Sequence, residues 1–309
     1  MRVFKSLENL PEFKNAVVTI GTFDGVHLGH QKLLESIKSL AEKIDGESIL
    51  ITFHPHPRFV VNPDDKSLKL INTLEEKLEL LNQYQLDNVV VAPFTLEFSQ
   101  MPAIEYVKDF LVGNFKPHTI VIGYDHHFGR NRTGNIDLLK EYQDVFDFEV
   151  IEISKETLED IGISSTKIRN ALNEGEVKTA EDLMGHAYSL SGYVIKGNQN
   201  GRIMGFPTAN IQLPVPYKLI PKSGVYAVKV KVKDQLYNGM LNIGYRPTFE
   251  GINKSIEVNI FDFDEDIYGE VLTVFFKDFI RKEEKFEGLN ALKKQLTKDK
   301  SAAKKILGV

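Results

Sequence analysis

Val17-Val18-Thr19-Ile20-Gly21-Thr22-Phe23-Asp24-Gly25-Val26-His27-Leu28-Gly29-His30 is the stretch that decides the fold. Its first four residues are apolar or β-branched and read as a strand, and glycines at 21, 25 and 29 loosen the loop that follows. From Gln31 the period becomes helical: Leu33, Leu34, Ile37, Leu40 and Ala41 share one face, which predicts a helix over 31–43. Working outward, Ser48–Phe53, Val89–Pro93, Thr119–Gly123 and Phe148–Ile153 read as further apolar strands. Thr73–Leu81 reads as a helix that opens on a capping-box pattern, Thr73 with Glu76 three residues on. Apolar strands alternating with amphipathic helices imply a parallel sheet covered on both faces. Ligand sites in such sheets gather at the carboxyl ends of the strands.

Past Met184 the period changes to two. In Val228-Lys229-Val230-Lys231-Val232-Lys233 the valines line one face and the lysines the other. Lys233-Asp234-Gln235 reads as a turn, and Leu236–Ile243, Ser255–Phe261 and Val271–Phe276 as strands, so a small antiparallel barrel or sandwich is expected. A lysine-rich amphipathic helix, predicted over 289–307, closes the chain, its charge explained as a solvated face. The Glu174-Gly175-Glu176 break marks the junction, which predicts domains of 1–183 and 184–309.

The chain has 309 residues, 42% hydrophobic and 26% charged, an ordinary globular composition long enough for two domains. No apolar run approaches the ~18 residues of a membrane span, and residues 1–8 lack the apolar core of a secretory signal. The absence of cysteine excludes disulfides, thiolate metal sites and a cysteine nucleophile, and fits a reducing, cytoplasmic setting. A net charge of −5 gives nucleic acid no electrostatic footing as a partner.

His27 and His30 stand three apart at a predicted helix start, so they share a face. A helix N-terminus offers free N–H groups and a positive dipole end to phosphate, and two imidazoles add hydrogen-bond donors. The loop is neither a Walker A sequence nor a G-x-G-x-x-G fingerprint. Ile163-Ser164-Ser165-Thr166-Lys167-Ile168-Arg169 places three hydroxyls and a guanidinium at another predicted helix start. By itself that run reads as a helix cap. Together the two motifs resemble the H-x-G-H and I-S-S-T-x-I-R signatures of the nucleotidyltransferase superfamily, in the F-D-G-V-H-x-G-H form of bacterial bifunctional riboflavin kinase/FAD synthetases. The resemblance implies a Rossmann-like N-terminal domain that transfers AMP from ATP to FMN. It implies ATP contacts from Gly21, Phe23, Asp24, Gly25, His27, Gly29, His30, Ser164, Ser165, Thr166 and Arg169, with His27, His30 and Arg169 catalytic.

Two more segments end predicted strands. Phe53-His54-Pro55-His56-Pro57-Arg58 and Gly123-Tyr124-Asp125-His126-His127-Phe128-Gly129 resemble flavin-contacting segments of the family, which implies roles for His56, Pro57, Arg58, Asp125 and Phe128. His126 stands where that family usually carries an aromatic residue. A metal reading of these histidines is disfavoured by the prolines at 55 and 57. Arg130, Arg132 and Gly134 form a loop that reads equally as phosphate-facing or solvated.

The run Gly197-Asn198-Gln199-Asn200-Gly201-Arg202-Ile203-Met204-Gly205-Phe206-Pro207-Thr208-Ala209-Asn210 can cradle phosphates on backbone N–H groups, while Thr208 and Asn210 offer hard oxygens to Mg²⁺. On composition it is also a polar surface loop. Glu257 sits between Ile256 and Val258 and so faces, with Asn259, away from the apolar side, toward either solvent or a site. The loop resembles the flavokinase signature G-x-x-x-G-R-x-x-G-F-P-T-A-N, and Glu257, Asp262, Phe263, Asp266, Tyr268 and Gly269 match a second family pattern, with Asn259 replacing its histidine. Asn242-Ile243-Gly244-Tyr245-Arg246-Pro247-Thr248, Arg281 and Phe286 match further segments. The implied C-terminal activity is riboflavin phosphorylation. Gly197, Gly201, Arg202, Gly205, Pro207, Thr208 and Asn210 would hold ATP, Thr208 and Asn210 would hold Mg²⁺, and Glu257 would be the base, with Arg281 and Phe286 on the flavin. The expected products of the two steps are ADP with FMN, then pyrophosphate with FAD. A kinase whose first domain is inactive and a non-catalytic flavin sensor are the competing readings.

Overall fold

β2 (Val17–Ile20) lies near the centre of a six-stranded sheet in a computed structural model that describes residues 1–153, 162–197, 200–248 and 251–309. Its other strands are β1 (Arg2–Phe4), β3 (Ser48–His54), β4 (Asn88–Pro93), β5 (Thr119–Gly123) and β6 (Glu149–Ile153), in the order β1-β4-β3-β2-β5-β6. Every pairing is parallel. Alternation sorts the strand residues onto two cores. Val18, Ile20, Ile49, Ile51, Val90, Ala92, Ile120 and Ile122 meet Phe110, Phe115 and Phe128 on one face. Val17, Leu50, Val89, Val91 and Val121 meet Leu34 and Ile37 of α1 (Leu28–Lys43) on the other. The strand order reverses at β2, whose neighbours are β3 and β5. The loops after β2 and β5 therefore flank the switch point, where a doubly wound sheet opens a crevice.

The remaining strands close into an antiparallel barrel, settling the choice between barrel and sandwich. They are β7 (Ser189–Ile195), β8 (Ala209–Gln212), β9 (Gly224–Val232), β10 (Gln235–Thr248), β11 (Gly251–Ile260) and β12 (Val271–Arg281), in the order β10-β11-β8-β7-β12-β9. One face carries Tyr226, Val228, Val230, Leu241, Ile243, Ile256, Val258, Val274 and Phe276, all buried. The opposite face carries Met240, Asn242, Glu257 and Asn259 in cross-strand register. A helix over Leu289–Leu307 follows, as the sequence predicts, and packs Ala303 against Ala227, Met240 and Phe261.

The chain divides into two compact units, 1–69 with 74–164 and 70–73 with 165–309. The sequence expectation places the change at 183/184. In the structure the helices Ser165–Glu174 and Val177–Met184 belong to the barrel's unit, joined to it by Lys222–Glu174 (2.8 Å), Lys178–Asp278 (2.9 Å) and Lys277–Glu181 (2.8 Å) ion pairs. Residues 70–73 join it through Lys218, a buried lysine whose Nζ donates to the Ile71 carbonyl at 2.5 Å and lies 4.6 Å from the Tyr188 ring centre.

Candidate functional site

The loop after β2 turns through three left-handed residues, Phe23 (φ 49°), Gly25 (φ 89°) and Val26 (φ 38°). Left-handed geometry at a non-glycine residue costs ~1–3 kcal/mol and persists only where the surroundings impose it. Here the Phe23 ring is buried against His30, with ring centres 4.7 Å apart, and a Cβ at Gly21 would lie 3.0 Å from the Phe23 ring. His27 caps α1, its Nδ1 accepting the His30 backbone N–H at 3.3 Å. The two imidazoles stack with centres 3.6 Å apart and planes 16° from parallel. Because Nδ1 of a neutral His27 is an acceptor, its proton sits on Nε2. Burial, then His27 and Lys77, hold His30 well below the usual histidine pKa. His30 is thus a neutral donor at pH 7 rather than a cation, and its buried Nδ1 has no protein partner.

Asp24 is buried in the same turn, and Lys77 of the helix Leu74–Asn82 donates to the carbonyl of Thr22, two residues before it. Sequence reasoning missed Lys77. The signal was present: Leu74, Lys77, Leu78 and Leu81 recur at helical spacing, which places a lysine on an apolar face.

Ser164 is the last residue of the first unit, and Ser165 opens the ten-residue helix Ser165–Glu174 of the second. Ser164 and Thr166 are exposed, Ser165 and Arg169 half-buried, so the hydroxyls and the guanidinium gather at a helix mouth.

His56 caps the short helix Pro57–Val61, its Nδ1 accepting the Arg58 backbone N–H at 3.2 Å, while the Arg58 guanidinium pairs with Asp65 at 2.7 Å. Hydrogen bonds from Ser67 and that guanidinium hold the Asp65 carboxyl down at about 2. After β5, Asp125 is exposed, but Phe128 is a core side chain stacked on Tyr106 at 4.8 Å. A Cβ at Gly134 would fall 2.4 Å from the Phe128 ring, which explains a glycine there. Burial pushes the His126 imidazole down to about 4, and its Nε2 is buried without a partner. A histidine neutral in the fold but charged when unfolded draws stability away as pH falls from 6.5 toward 4. His126→Phe is therefore expected to move the acid-unfolding midpoint to lower pH, read by circular dichroism.

In the barrel, Glu257 is the middle of a cross-strand row, opposite Asn242 on one side and Asn210 on the other. The Thr208 hydroxyl donates to Glu257 Oε2 at 3.3 Å. Asn259 is buried and donates through Nδ2 to the Pro207 carbonyl at 2.6 Å, tying the glycine loop to the sheet. That loop turns tightly. Phe206 N–H donates to the Gly201 carbonyl at 2.9 Å, a Cβ at Gly201 would strike the Phe206 carbonyl at 2.2 Å, and Gly205 has φ 79°. Gly197 lies against Asn210, whose amide nitrogen would be 2.3 Å from an added Cβ. Arg202 and Pro207 are exposed; Asn198 and Gln199 lie outside the described residues. A cavity of about 580 Å³ opens on this face, lined by the polar Thr208, Asn242, Glu257 and Asn259 beside Gly201 and by the apolar Met204, Phe206, Met240, Leu292 and Leu296. Arg281 and Phe286 line it too.

The Arg281 fork is committed within the protein. Nε and Nη2 reach Asp299 at 2.9 and 2.8 Å, and Asp299, 1% exposed, also accepts from Gln295 at 2.8 Å. Its signal was an acid on the apolar face formed by Leu292, Leu296 and Ala303. Removing one partner of a buried ion pair costs ~3–5 kcal/mol. Asp299→Ala is expected to lower the thermal midpoint accordingly, measured by calorimetry.

Both halves match known families. Residues 10–167 match the FAD synthetase family and residues 184–307 the riboflavin kinase family. The bifunctional riboflavin kinase/FMN adenylyltransferase of Listeria monocytogenes is 41% identical over 92% of this chain and 90% of its own, and that of Bacillus subtilis 38% over 94% and 92%. A crystal structure described as a macrolide-efflux protein from Streptococcus pneumoniae superposes with a TM-score of 0.86 at 33% identity, covering 98% of both chains. Among the described residues, no helix here is long and apolar enough to cross a membrane. Two family matches in tandem, on a parallel sheet and a barrel that each carry a phosphate-suited loop, make this chain a member of the bifunctional riboflavin kinase/FMN adenylyltransferase family, acting on riboflavin, FMN and ATP.

Proposed function

We propose that the barrel phosphorylates riboflavin at its Glu257 row and that the parallel-sheet domain adenylylates the resulting FMN at its stacked histidines. The observation that carries the reading is the hydrogen bond from Thr208 to Glu257 in the wall of a cavity otherwise lined largely by apolar side chains. An isoalloxazine suits the apolar walls, and its ribityl chain would bring the 5′-hydroxyl to the carboxylate. Glu257 takes the proton of that hydroxyl as the oxygen attacks the γ-phosphorus of ATP, the bond to the β-phosphate oxygen breaks and ADP leaves. The tight glycine loop would lie along the phosphates, with the exposed Arg202 within it and Gly197 and Pro207 on either side.

Enzymes that transfer phosphoryl groups from ATP generally use a divalent metal. The donors here fit Mg²⁺: Thr208 brings a hydroxyl and Asn210 a carboxamide, both hard oxygens beside Glu257. Among the described residues no three His, Asp or Glu converge, which suits an ion held largely by nucleotide phosphates. When bound, Mg²⁺ would neutralise phosphate charge.

In the first domain a phosphate oxygen of FMN attacks the α-phosphorus of ATP and pyrophosphate leaves. His27 and His30 donate to the phosphate oxygens as charge builds there, and the family signature assigns Ser164, Ser165, Thr166 and Arg169 to the triphosphate. Gly21, Phe23, Asp24, Gly25 and Gly29 shape the loop, and His56, Pro57, Arg58 and Asp125 are the flavin contacts. Phe128 supports them from the core. Both reactions belong in the cytoplasm, a setting that suits a cysteine-free user of ATP. Chromatography of products after supplying riboflavin, ATP and Mg²⁺, and separately FMN, ATP and Mg²⁺, tests both halves: FMN and FAD are expected from the first mixture, FAD and pyrophosphate from the second.

A further inference from the structure

Lys77 is a charged side chain that the mechanism above does not use. It is 8% exposed, on the helix face that carries Leu74, Leu78 and Leu81. Its Nζ donates to the Thr22 carbonyl at 3.0 Å and to Thr52 Oγ1 at 2.9 Å, and Thr52 Oγ1 donates to the same carbonyl at 3.2 Å. The Thr22 carbonyl immediately precedes Phe23, the first left-handed residue of the turn. Two donors from two different elements thus fix the peptide plane on which the turn depends.

The turn passes that geometry to the histidines. Phe23 packs on His30, and the Val26 carbonyl, at the far end of the turn, accepts the Gln31 side-chain amide at 2.8 Å. We propose that Lys77 is a positioning residue for adenylyl transfer: its ammonium, sealed beneath residues 21–26, holds the strained turn and so sets the stacked His27–His30 pair against the phosphates. This rests on the reading of that pair as the adenylyl-transfer site.

Lys77 also acts through charge. Burial lowers it to about 8 while Asp24 holds it up, so it remains largely charged at pH 7. The charged and titratable groups it acts with are Asp24 in the turn, His30 on α1 and His54 at the end of β3; His27 bears in turn on His30, and Glu75 on His54. Its charge lowers both His30 and His54, whereas Glu75 raises His54. Without Lys77, His30 takes up a proton at higher pH.

Lys77→Met keeps length and removes both donor and charge. With FMN, ATP and Mg²⁺ as substrates, kcat is expected to fall ~10–100-fold, the cost of slight misplacement, with KM values little changed. The acid limb of kcat/KM is expected to move to higher pH, while the same protein still phosphorylates riboflavin. A wild-type kcat with an unmoved acid limb would overturn the proposal, as would equal loss of both half-reactions. Should Lys77→Met fail to fold, Thr52→Val decides. It is expected to lower kcat for FAD formation about threefold or more, the effect of a small misplacement, with the acid limb in place; an unaltered kcat sinks the idea. His27→Ala separates this from the site reading: full FAD formation by that variant removes the site itself, whatever Lys77 does.

Discussion

Glu257→Gln is expected to abolish FMN formation from riboflavin while leaving conversion of supplied FMN to FAD intact. A positioned general base contributes ~10²–10⁴-fold, and glutamine keeps the volume and the acceptor oxygen for the Thr208 hydroxyl while losing the basic one. Folding should survive, because Glu257 is only half-buried and its cross-strand neighbours Asn210 and Asn242 can both donate to a carboxamide oxygen. Riboflavin should still bind, since the apolar lining of the cavity is untouched. The expected signature is therefore a collapse in kcat with KM for riboflavin nearly unchanged, read by product chromatography.

Removing either imidazole of the stacked pair should cost the other half-reaction. Loss of one donor aimed at developing charge typically costs ~10²–10³-fold, or ~2.7–4 kcal/mol. The two histidines differ in what else they do. His27 caps α1, so His27→Ala also removes a helix cap, worth ~1 kcal/mol. His27→Asn restores a capping oxygen without an imidazole and isolates the chemistry. His30 makes no cap, and because burial and its neighbours keep it neutral, FAD formation should hold its rate as pH falls through 6.5 and decline only below that. An acid limb centred at the ordinary histidine pKa would show that His30 is not held neutral in the working enzyme.

Much of the fold was legible because its strands are either apolar throughout or strictly alternating. β2, β5 and the helix Leu289–Leu307 fall where periodicity puts them. β7 and β8 escaped for a physical reason. Gly192 breaks the alternation of β7, and it is glycine because a Cβ would meet the Gln212 carbonyl at 2.6 Å. β8 is four residues long and follows a polar loop, so its strand character comes from its partners β7 and β11. β1, a three-residue edge strand, carries too little pattern to read.

The candidate sites divide in the same way. Residues proposed to meet a ligand stand out through motif spacing, as His27, His30, Thr208 and Glu257 do. Residues that hold those groups in place look like errors in an apolar face until the fold shows their partners. Lys77 beneath the Thr22 carbonyl and Asp299 beneath the Arg281 fork are both of this kind. The Arg281 fork is directed by Asp299, so Arg281 lines the cavity while anchoring the terminal helix. Phe128 likewise supports its loop from within the core.

The most direct measurement mixes two inactive halves. Purified Glu257→Gln and His27→Asn proteins, each with wild-type circular dichroism, are supplied with riboflavin, ATP and Mg²⁺ separately and then together. Two independent sites joined by a diffusible intermediate require that neither variant alone makes FAD, that His27→Asn alone accumulates FMN, and that the mixture makes FAD after a lag. If either protein, correctly folded, lacks both half-reactions, and the mixture stays silent, the assignment of one reaction to each domain is wrong.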